Sequence, residues 1–197
     1  MESITLGEAL IRLKSSNAEL FTTDVLQRVL GYVDRNSFHK ALQRLEKAKI
    51  ITRLVSGKYY FGNAQPADFV VANFLIQPSY ISLETALNLY GILPQFPYPI
   101  TSITLGKSKK ISTLHREYEY IHVSPEIYWG FAKTDNCVIS SPEKAVIDMF
   151  YLASKGLRVA NVDEWDWSTV NTDKLDTYAK NIDNRLFNSY YRDYKPA

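Results

Sequence analysis

Cysteine is almost absent from this sequence of 197 residues, which contains only Cys137. One cysteine cannot form an intramolecular disulfide, and it is too few for a structural zinc site built on thiolates. Since free cysteines are usually buried, we expect this thiol to lie in the core.

Glycine, proline and long apolar runs are also scarce. Eight Gly, eight Pro and a hydrophobic fraction of 46% exclude collagen-like, low-complexity and generally disordered chains. The longest apolar stretch, Phe69 to Ile76, is interrupted by Asn73 and is much shorter than the ~20 residues of a membrane span. The first residues lack the basic start, the apolar run and the cleavage site of a secretory signal. We therefore expect a folded cytoplasmic protein without a membrane partner.

Motifs for catalysis and cofactor binding are missing as well. His115 and His122 lack the HxH or HExxH spacing of metal sites, and the chain has neither a GxSxG motif nor a glycine-rich phosphate loop. Glu143, Lys144 and Asp148 could be considered as an acidic nuclease site. The two carboxylates, however, lie about 140° apart on a predicted helix. The sequence therefore predicts a protein that is not an enzyme and that needs no metal and no cofactor.

The charges divide unequally along the chain. Residues 1–62 contain ten Lys/Arg against six Asp/Glu, a net charge of +4, whereas residues 63–197 contain thirteen against fifteen, a net charge of −2. A basic N-terminal segment suggests a polyanion as its partner, and the remainder suits a protein or a small molecule.

Residues 1–62 show the pattern of three helices followed by a β-hairpin. The first helix is predicted from Leu6 to Lys14 after a capping box of Thr5 and Glu8. The next segments are a helix between Thr22 or Thr23 and Gly31, an amphipathic helix that follows Asp34 and includes Phe38 to Ala48, and strands at 50–53 and 58–61 around Ser56-Gly57. This order is typical of a winged helix-turn-helix.

The third helix has an outer face of hydrogen-bond donors and cations. On a helical wheel no carboxylate falls in the arc opposite the apolar stripe, and phosphates and base edges accept such groups. The alternative is an ordinary solvated face, because Lys and Gln are good helix formers. Two further cations on the hairpin favour double-stranded DNA as the partner. The predicted DNA-binding residues are Asn36, Ser37, His39, Lys40, Gln43, Arg44, Lys47, Arg53 and Lys58.

A new domain is predicted after Gln65-Pro66, where helices and strands mix. The predicted helices cover 69–75, 82–90 with Ser82 as the N-cap, 142–154, 172–182 and 184–191, and the predicted strands cover 100–105, 118–123 and 137–139. The fold class is therefore α+β, with an N-terminal winged helix-turn-helix at 1–62 and a mixed α/β domain at 66–197.

Two segments of this domain are candidates for partner binding. One is a basic cluster that includes His115, and its alternative interpretation is a solvated hairpin turn. The other is the acidic and aromatic segment Asp163 to Trp167, whose tryptophans either anchor a partner or cover the domain's own core. The candidate residues are Lys107, Lys109, Lys110, Arg116, Asp163 and Trp165.

Three strings in this order resemble a known family. They are SYISLETALNLYGIL, a Tyr-rich stretch that ends in YWGF, and ISSPEKAVIDMFYL, and the hairpin sequence SGKYYF fits too. The chain from its start to about residue 155 resembles the AbiEi antitoxins of type IV toxin–antitoxin systems.

The resemblance implies a transcriptional autoregulator with a role in phage defence. Its winged helix would repress its own operon by binding the promoter, as double-stranded DNA with inverted repeats. Its C-terminal domain would counter a nucleotidyltransferase-like toxin, without the need for a stable complex. One alternative is a winged-helix regulator with a small effector in the C-terminal domain, and another is an enzyme of nuclease or transferase type.

Overall fold

The computed structural model describes residues 4–134 and 136–196, in which helices and strands are mixed. The chain divides into two units, Met1–Ala67 and Asp68–Ala197. The division lies next to the Gln65-Pro66 segment at which the sequence predicts a linker.

From residue 4 onwards, the first unit contains three helices and three short strands. In chain order they are α1 (Leu6–Ser15), β1 (Leu20–Thr22), α2 (Thr23–Leu30), α3 (Arg35–Lys47), β2 (Ile51–Val55) and β3 (Lys58–Phe61). The strands form an antiparallel sheet in the order β1-β3-β2. The predicted capping box of Thr5 and Glu8 is present, and Gly31 ends α2 with a φ of 77°. The predicted helices are thus confirmed, whereas β1 was not predicted.

Apolar stripes of all three helices meet in one core. α3 contributes Phe38, Ala41, Leu42 and Leu45, which are spaced by three and four residues and are all buried. The same core contains Ala9, Leu13, Phe21, Leu26, Leu30, Tyr32, Ile51 and Tyr59. Because α3 buries one stripe here, its opposite face is exposed.

The second unit is built on a mixed six-stranded sheet in the order β6-β7-β5-β4-β9-β8. The strands are β4 (Ser79–Ile81), β5 (Ile100–Thr104), β6 (Lys109–Thr113), β7 (Arg116–His122), β8 (Phe131–Thr134) and β9 (Cys137–Ser140). The pairs β5/β7 and β4/β9 are parallel, and the other neighbours are antiparallel. The outermost strands are therefore β6 and β8.

Five helices complete the described part of the second unit. They are α4 (Asp68–Leu75), α5 (Leu83–Leu89), α6 (Pro142–Ser154), α7 (Thr172–Lys180) and α8 (Arg185–Tyr194), with short 3₁₀ turns at Pro125–Ile127, Val162–Glu164 and Trp167–Thr169. α6 contacts α5, α7, α8 and β9. Its side chains are consequently buried from Glu143 to Leu152 on all sides, and not along one stripe.

Two expectations about single residues in this unit are wrong. Ser82 lies at the N-cap position of α5 but makes no side-chain cap; its hydroxyl instead donates to Asp148 at 2.7 Å. Cys137 is half-buried at the start of β9, and its thiol contacts the Thr134 carbonyl, so it is not a core thiol.

The helices of residues 4–134 and 136–196 are all too short or too polar to cross a membrane.

Candidate nucleic-acid interface

The start of α3 is fixed by a side-chain cap. The Asp34 carboxylate accepts a hydrogen bond from the Ser37 backbone N–H at 2.7 Å, which satisfies one of the free donors at the helix end. Hydrogen bonds from the Ser37 backbone and then from its side chain lower the pKa of Asp34. The cap and the buried stripe together set which residues of α3 point outwards.

The outward face of α3 is composed of donors and cations. Glu46 is half-buried, so none of the exposed side chains among the described residues of α3 is acidic. The exposed residues are Arg35, Asn36, Ser37, His39, Lys40, Gln43, Arg44 and Lys47. The seven residues of α3 that the sequence predicts for DNA binding are thus all exposed, on one helix.

The Arg44 side chain forms a hydrogen bond within the chain. Its Nη2 donates to the Ile4 carbonyl at 2.8 Å, which ties the end of α3 to the residues before α1. Loss of this side chain would therefore change the anchoring of Ile4 as well as the charge of the outer face.

The hairpin of β2 and β3 is short and lies against the start of α2. Gly57 turns the chain with a φ of 78°, and its carbonyl accepts a hydrogen bond from the Thr23 N–H at 2.9 Å. Arg53 is exposed, and its Nε donates to the Val55 carbonyl at 3.4 Å. Lys58 is half-buried, and this burial lowers its pKa. Arg53 is therefore the better placed of the two predicted hairpin cations for contact with a phosphate.

Two exposed residues at the start of α3 were missed by the sequence analysis. Arg35 is the first residue of the helix and is exposed, although the wheel places it towards the flank of the apolar stripe. Val33 lies in the turn before the cap, and its side chain is 81% exposed. An apolar residue in a turn is usually assigned to the core from sequence, so no local signal identified Val33 as exposed.

The predicted basic cluster of the second unit lies around the β6–β7 hairpin. Lys107 and Lys109 are exposed. Lys110 Nζ forms ion pairs with Glu117 at 3.5 Å and Glu119 at 3.4 Å. Arg116 is bound through Nε to Asp68 at 2.9 Å. The charges of Lys110 and Arg116 are therefore partly compensated within the unit.

The acidic and aromatic segment has one of its two tryptophans, Trp165, in the core. Trp165 is only 7% exposed, and its ring stacks on Phe150 with a centroid distance of 5.7 Å. Its prediction as a partner anchor is therefore wrong, because its surface is already used by Phe150 and its neighbours. Asp163 remains exposed in the same segment.

Two residues of the motif SPEKAVID form a buried ion pair. Lys144 Nζ and Asp148 Oδ1 are 2.6 Å apart, and neither side chain has solvent exposure. Tyr80 and Ser82 donate to the other carboxylate oxygen at 3.0 and 2.7 Å. Lys144 also donates to the Ile127 carbonyl at 2.8 Å. The i, i+4 spacing of a lysine and an aspartate was the sequence signal for this pair.

Glu143, Lys144 and Asp148 do not form the nuclease site that their sequence could suggest. Glu143 is bound by Lys174 at 2.7 Å, whereas Asp148 is bound by Lys144. Burial raises the pKa of Asp148, although Lys144, Ser82 and Tyr80 oppose this shift. Within residues 4–134 and 136–196, no group of three or more His, Cys, Asp or Glu is placed to hold a metal ion.

An apolar cavity of about 340 Å³ opens in the second unit. Its polar wall groups have partners within the unit: Asn88 donates to the Leu93 and Gln95 carbonyls, and Arg116 donates to Asp68. Its apolar wall is formed by Phe69, Leu89, Phe96, Pro97 and Ile100. The cavity therefore offers mainly apolar surface to an occupant.

No protein-family model matches the chain, and no curated protein matches it either. The candidate interface is therefore characterised by its own side chains. Of these surfaces, the outer face of α3 is the one whose chemistry fits a polyanion, because it combines cations with amide and hydroxyl donors.

Proposed function

We propose that this protein is a DNA-binding antitoxin that represses its own operon, similar to the AbiEi antitoxins of type IV toxin–antitoxin systems. The observation that carries the proposal is the exposed face of α3, with cations and donors and no exposed carboxylate among its described residues. Double-stranded DNA is the polyanion that such a face fits best.

The arrangement around α3 supports a winged helix-turn-helix. The order α1-β1-α2-α3-β2-β3, with an antiparallel sheet in which β3 lies between β1 and β2, is typical of that fold. In such domains the N-terminal part of the second helix of the motif contacts base edges in the major groove. In this proposal Asn36, Lys40 and Gln43 are the base-reading residues.

Other exposed cations would contact the DNA phosphates and so position the domain on the duplex. Lys47 ends α3, Arg53 lies on the hairpin, and Arg35 begins α3. Contacts of this kind to phosphates fix register and add affinity that does not depend on sequence. Binding should therefore weaken strongly as the salt concentration rises.

We assign the antitoxic part to the second unit. Lys107, Lys109 and Asp163 carry exposed charges of both signs that a toxin or its nucleic-acid substrate could contact. The family resemblance, and not the geometry, supports a nucleotidyltransferase-like toxin as the opponent. In this proposal the chain itself is not an enzyme and works in the cytoplasm.

The DNA-binding proposal is tested by mobility shift of the duplex upstream of its own gene. The variant Lys40→Ala with Gln43→Ala should lose affinity and sequence preference, since a good base contact contributes about 1–3 kcal/mol. Lys180→Ala, an exposed lysine on α7, is the matched control and should bind like the wild type. Wild-type binding by the double variant would refute the assignment of α3.

A second candidate function is supported by the apolar cavity between Phe69 and Leu89. In that case the protein is a winged-helix repressor regulated by a small apolar effector, because cavities of ~300–1,000 Å³ with apolar walls suit such ligands. The gene next to it separates the two functions. A nucleotidyltransferase gene directly downstream favours the antitoxin, and its absence favours the effector-regulated repressor.

A further inference from the structure

We propose that Val33 contacts the C5-methyl group of a thymine in the major groove and so adds a preference for thymine to the DNA site. This inference rests on the proposed DNA-binding function. It concerns the turn between α2 and α3, to which the sequence analysis assigned no role.

Val33 is an exposed aliphatic side chain at a place where turns usually carry polar residues. At 81% it is the most exposed of the large apolar residues among the described part of the first unit, ahead of Ile11 and Leu6. Turns favour Gly, Pro, Asn, Asp and Ser. A valine with this exposure adds little to the core, and its methyl groups are accessible to a partner.

The turn presents this side chain in a fixed position. The Gln27 side-chain amide donates to the carbonyl of Tyr32 at 3.2 Å and to that of Val33 at 3.5 Å. The Tyr32 ring is buried, 6.0 Å from the Phe38 ring. The Asp34 cap holds the next residue. Because the side chain is β-branched and stiff at χ1, a contact to it costs little conformational entropy.

The position of Val33 relative to α3 suggests what it contacts. It directly precedes the cap of the helix whose first turn carries Asn36 and Ser37, the end that reads bases in this type of motif. The major groove offers donors, acceptors and one apolar group, which is the thymine methyl. The polar residues of α3 can pair with the donors and acceptors, and Val33 can contact the methyl group.

The test is a double-mutant cycle between the side chain and the methyl group. The full chain and Val33→Ala are titrated with the duplex upstream of its own gene, prepared either with thymine or with uracil at every thymine position. Uracil lacks only the C5-methyl group. The wild type should bind the uracil duplex at least about fourfold more weakly, which corresponds to about 0.8 kcal/mol for one buried carbon.

The expected result for Val33→Ala is the same affinity for both duplexes within about 1.5-fold, because the partner of the methyl group has been removed. Ile11→Ala, which shortens an exposed aliphatic side chain on α1, should keep the fourfold difference of the wild type. As a further control, 5-methylcytosine at a cytosine next to the replaced thymine should not restore the affinity of the wild type for the uracil duplex.

Two outcomes overturn the inference, and they are distinguishable. If the wild type and Val33→Ala lose the same factor on the uracil duplex, Val33 does not contact a thymine methyl, while DNA binding through α3 stands. If neither protein binds the thymine duplex more tightly than a shuffled one, the proposed function fails and the inference fails with it.

Discussion

The buried pair of Lys144 and Asp148 permits a quantitative prediction about the second unit. In Lys144→Met the Asp148 carboxylate loses its cation and keeps only the hydroxyl groups of Tyr80 and Ser82. Breaking a fully buried ion pair by removal of one partner costs about 3–5 kcal/mol. Ser82→Ala removes one hydrogen bond to a charged group, so it should cost about 1.5–3 kcal/mol.

A control variant separates the contribution of the ion pair to stability from the general effect of losing a lysine. Lys180→Met is the matched control, because Lys180 is an exposed lysine at the end of α7 in the same unit. It should change the free energy of unfolding by about 0.5 kcal/mol or less. The double variant Lys144→Met with Asp148→Asn should be more stable than Lys144→Met, since it leaves no unpaired carboxylate at position 148.

The assay is urea unfolding followed by tryptophan fluorescence, since all three tryptophans lie in the second unit. The pH dependence gives a second readout. Burial raises the pKa of Asp148, so the folded state binds a proton more readily than the unfolded state does. Without Lys144, lowering the pH from 7 to 5 should therefore recover part of the lost stability. A cost below about 1 kcal/mol for Lys144→Met would refute the buried pair.

Two further predictions follow from backbone geometry and capping. Gly130 has a φ of 75°, and an added Cβ would lie 2.9 Å from Lys144 Cγ, whereas Gly156 has a φ of 69° and open space around it. Gly130→Ala should therefore lower the free energy of unfolding more than Gly156→Ala does. Urea unfolding measures both variants, and equal losses would contradict the contact. Ser37 lowers the pKa of Asp34, so this cap stabilises at pH 7 and is lost as the pH falls below the folded pKa. Asp34→Asn keeps a capping oxygen, and its thermal midpoint by circular dichroism should fall less between pH 7 and pH 3 than that of the wild type; an equal fall would argue against the cap.

Local signals predicted the helices well, because each signal acts within one or two turns. The box of Thr5 and Glu8 begins α1, Gly31 ends α2, and Ser141 with Pro142 begins α6 at the predicted residue. These residues satisfy or interrupt hydrogen bonds of their own helix, so the rest of the fold is not needed to interpret them.

Long-range pairing explains what the sequence did not predict. The strands β1 and β4 have only three residues each and depend on partners far along the chain, as in the pairing of Ile81 with Ile139. The same reason made Ser82 appear to be a cap, because its true partner, Asp148, is 66 residues away. The two interpretations of Trp165, a partner anchor or a cover of the core, likewise could not be separated without Phe150, on which its ring stacks.

The candidate site was predicted in composition but not in detail. The helical wheel found the exposed face of α3, since amphipathicity follows directly from the spacing of Phe38 and Leu42. The half-buried state of Lys58 and the ion pairs of Lys110 depend on neighbours from other strands. They could be found only in the folded chain.

The central claim is sequence-specific binding of duplex DNA by the face that contains Lys40. Its most direct measurement is the ratio of two dissociation constants at physiological salt, one for the duplex upstream of its own gene and one for a shuffled duplex of equal length and composition. The account predicts that the upstream duplex binds at least about 10³-fold more tightly, and that Lys40→Ala with Gln43→Ala reduces this ratio. Equal affinity for the two duplexes would contradict the claim.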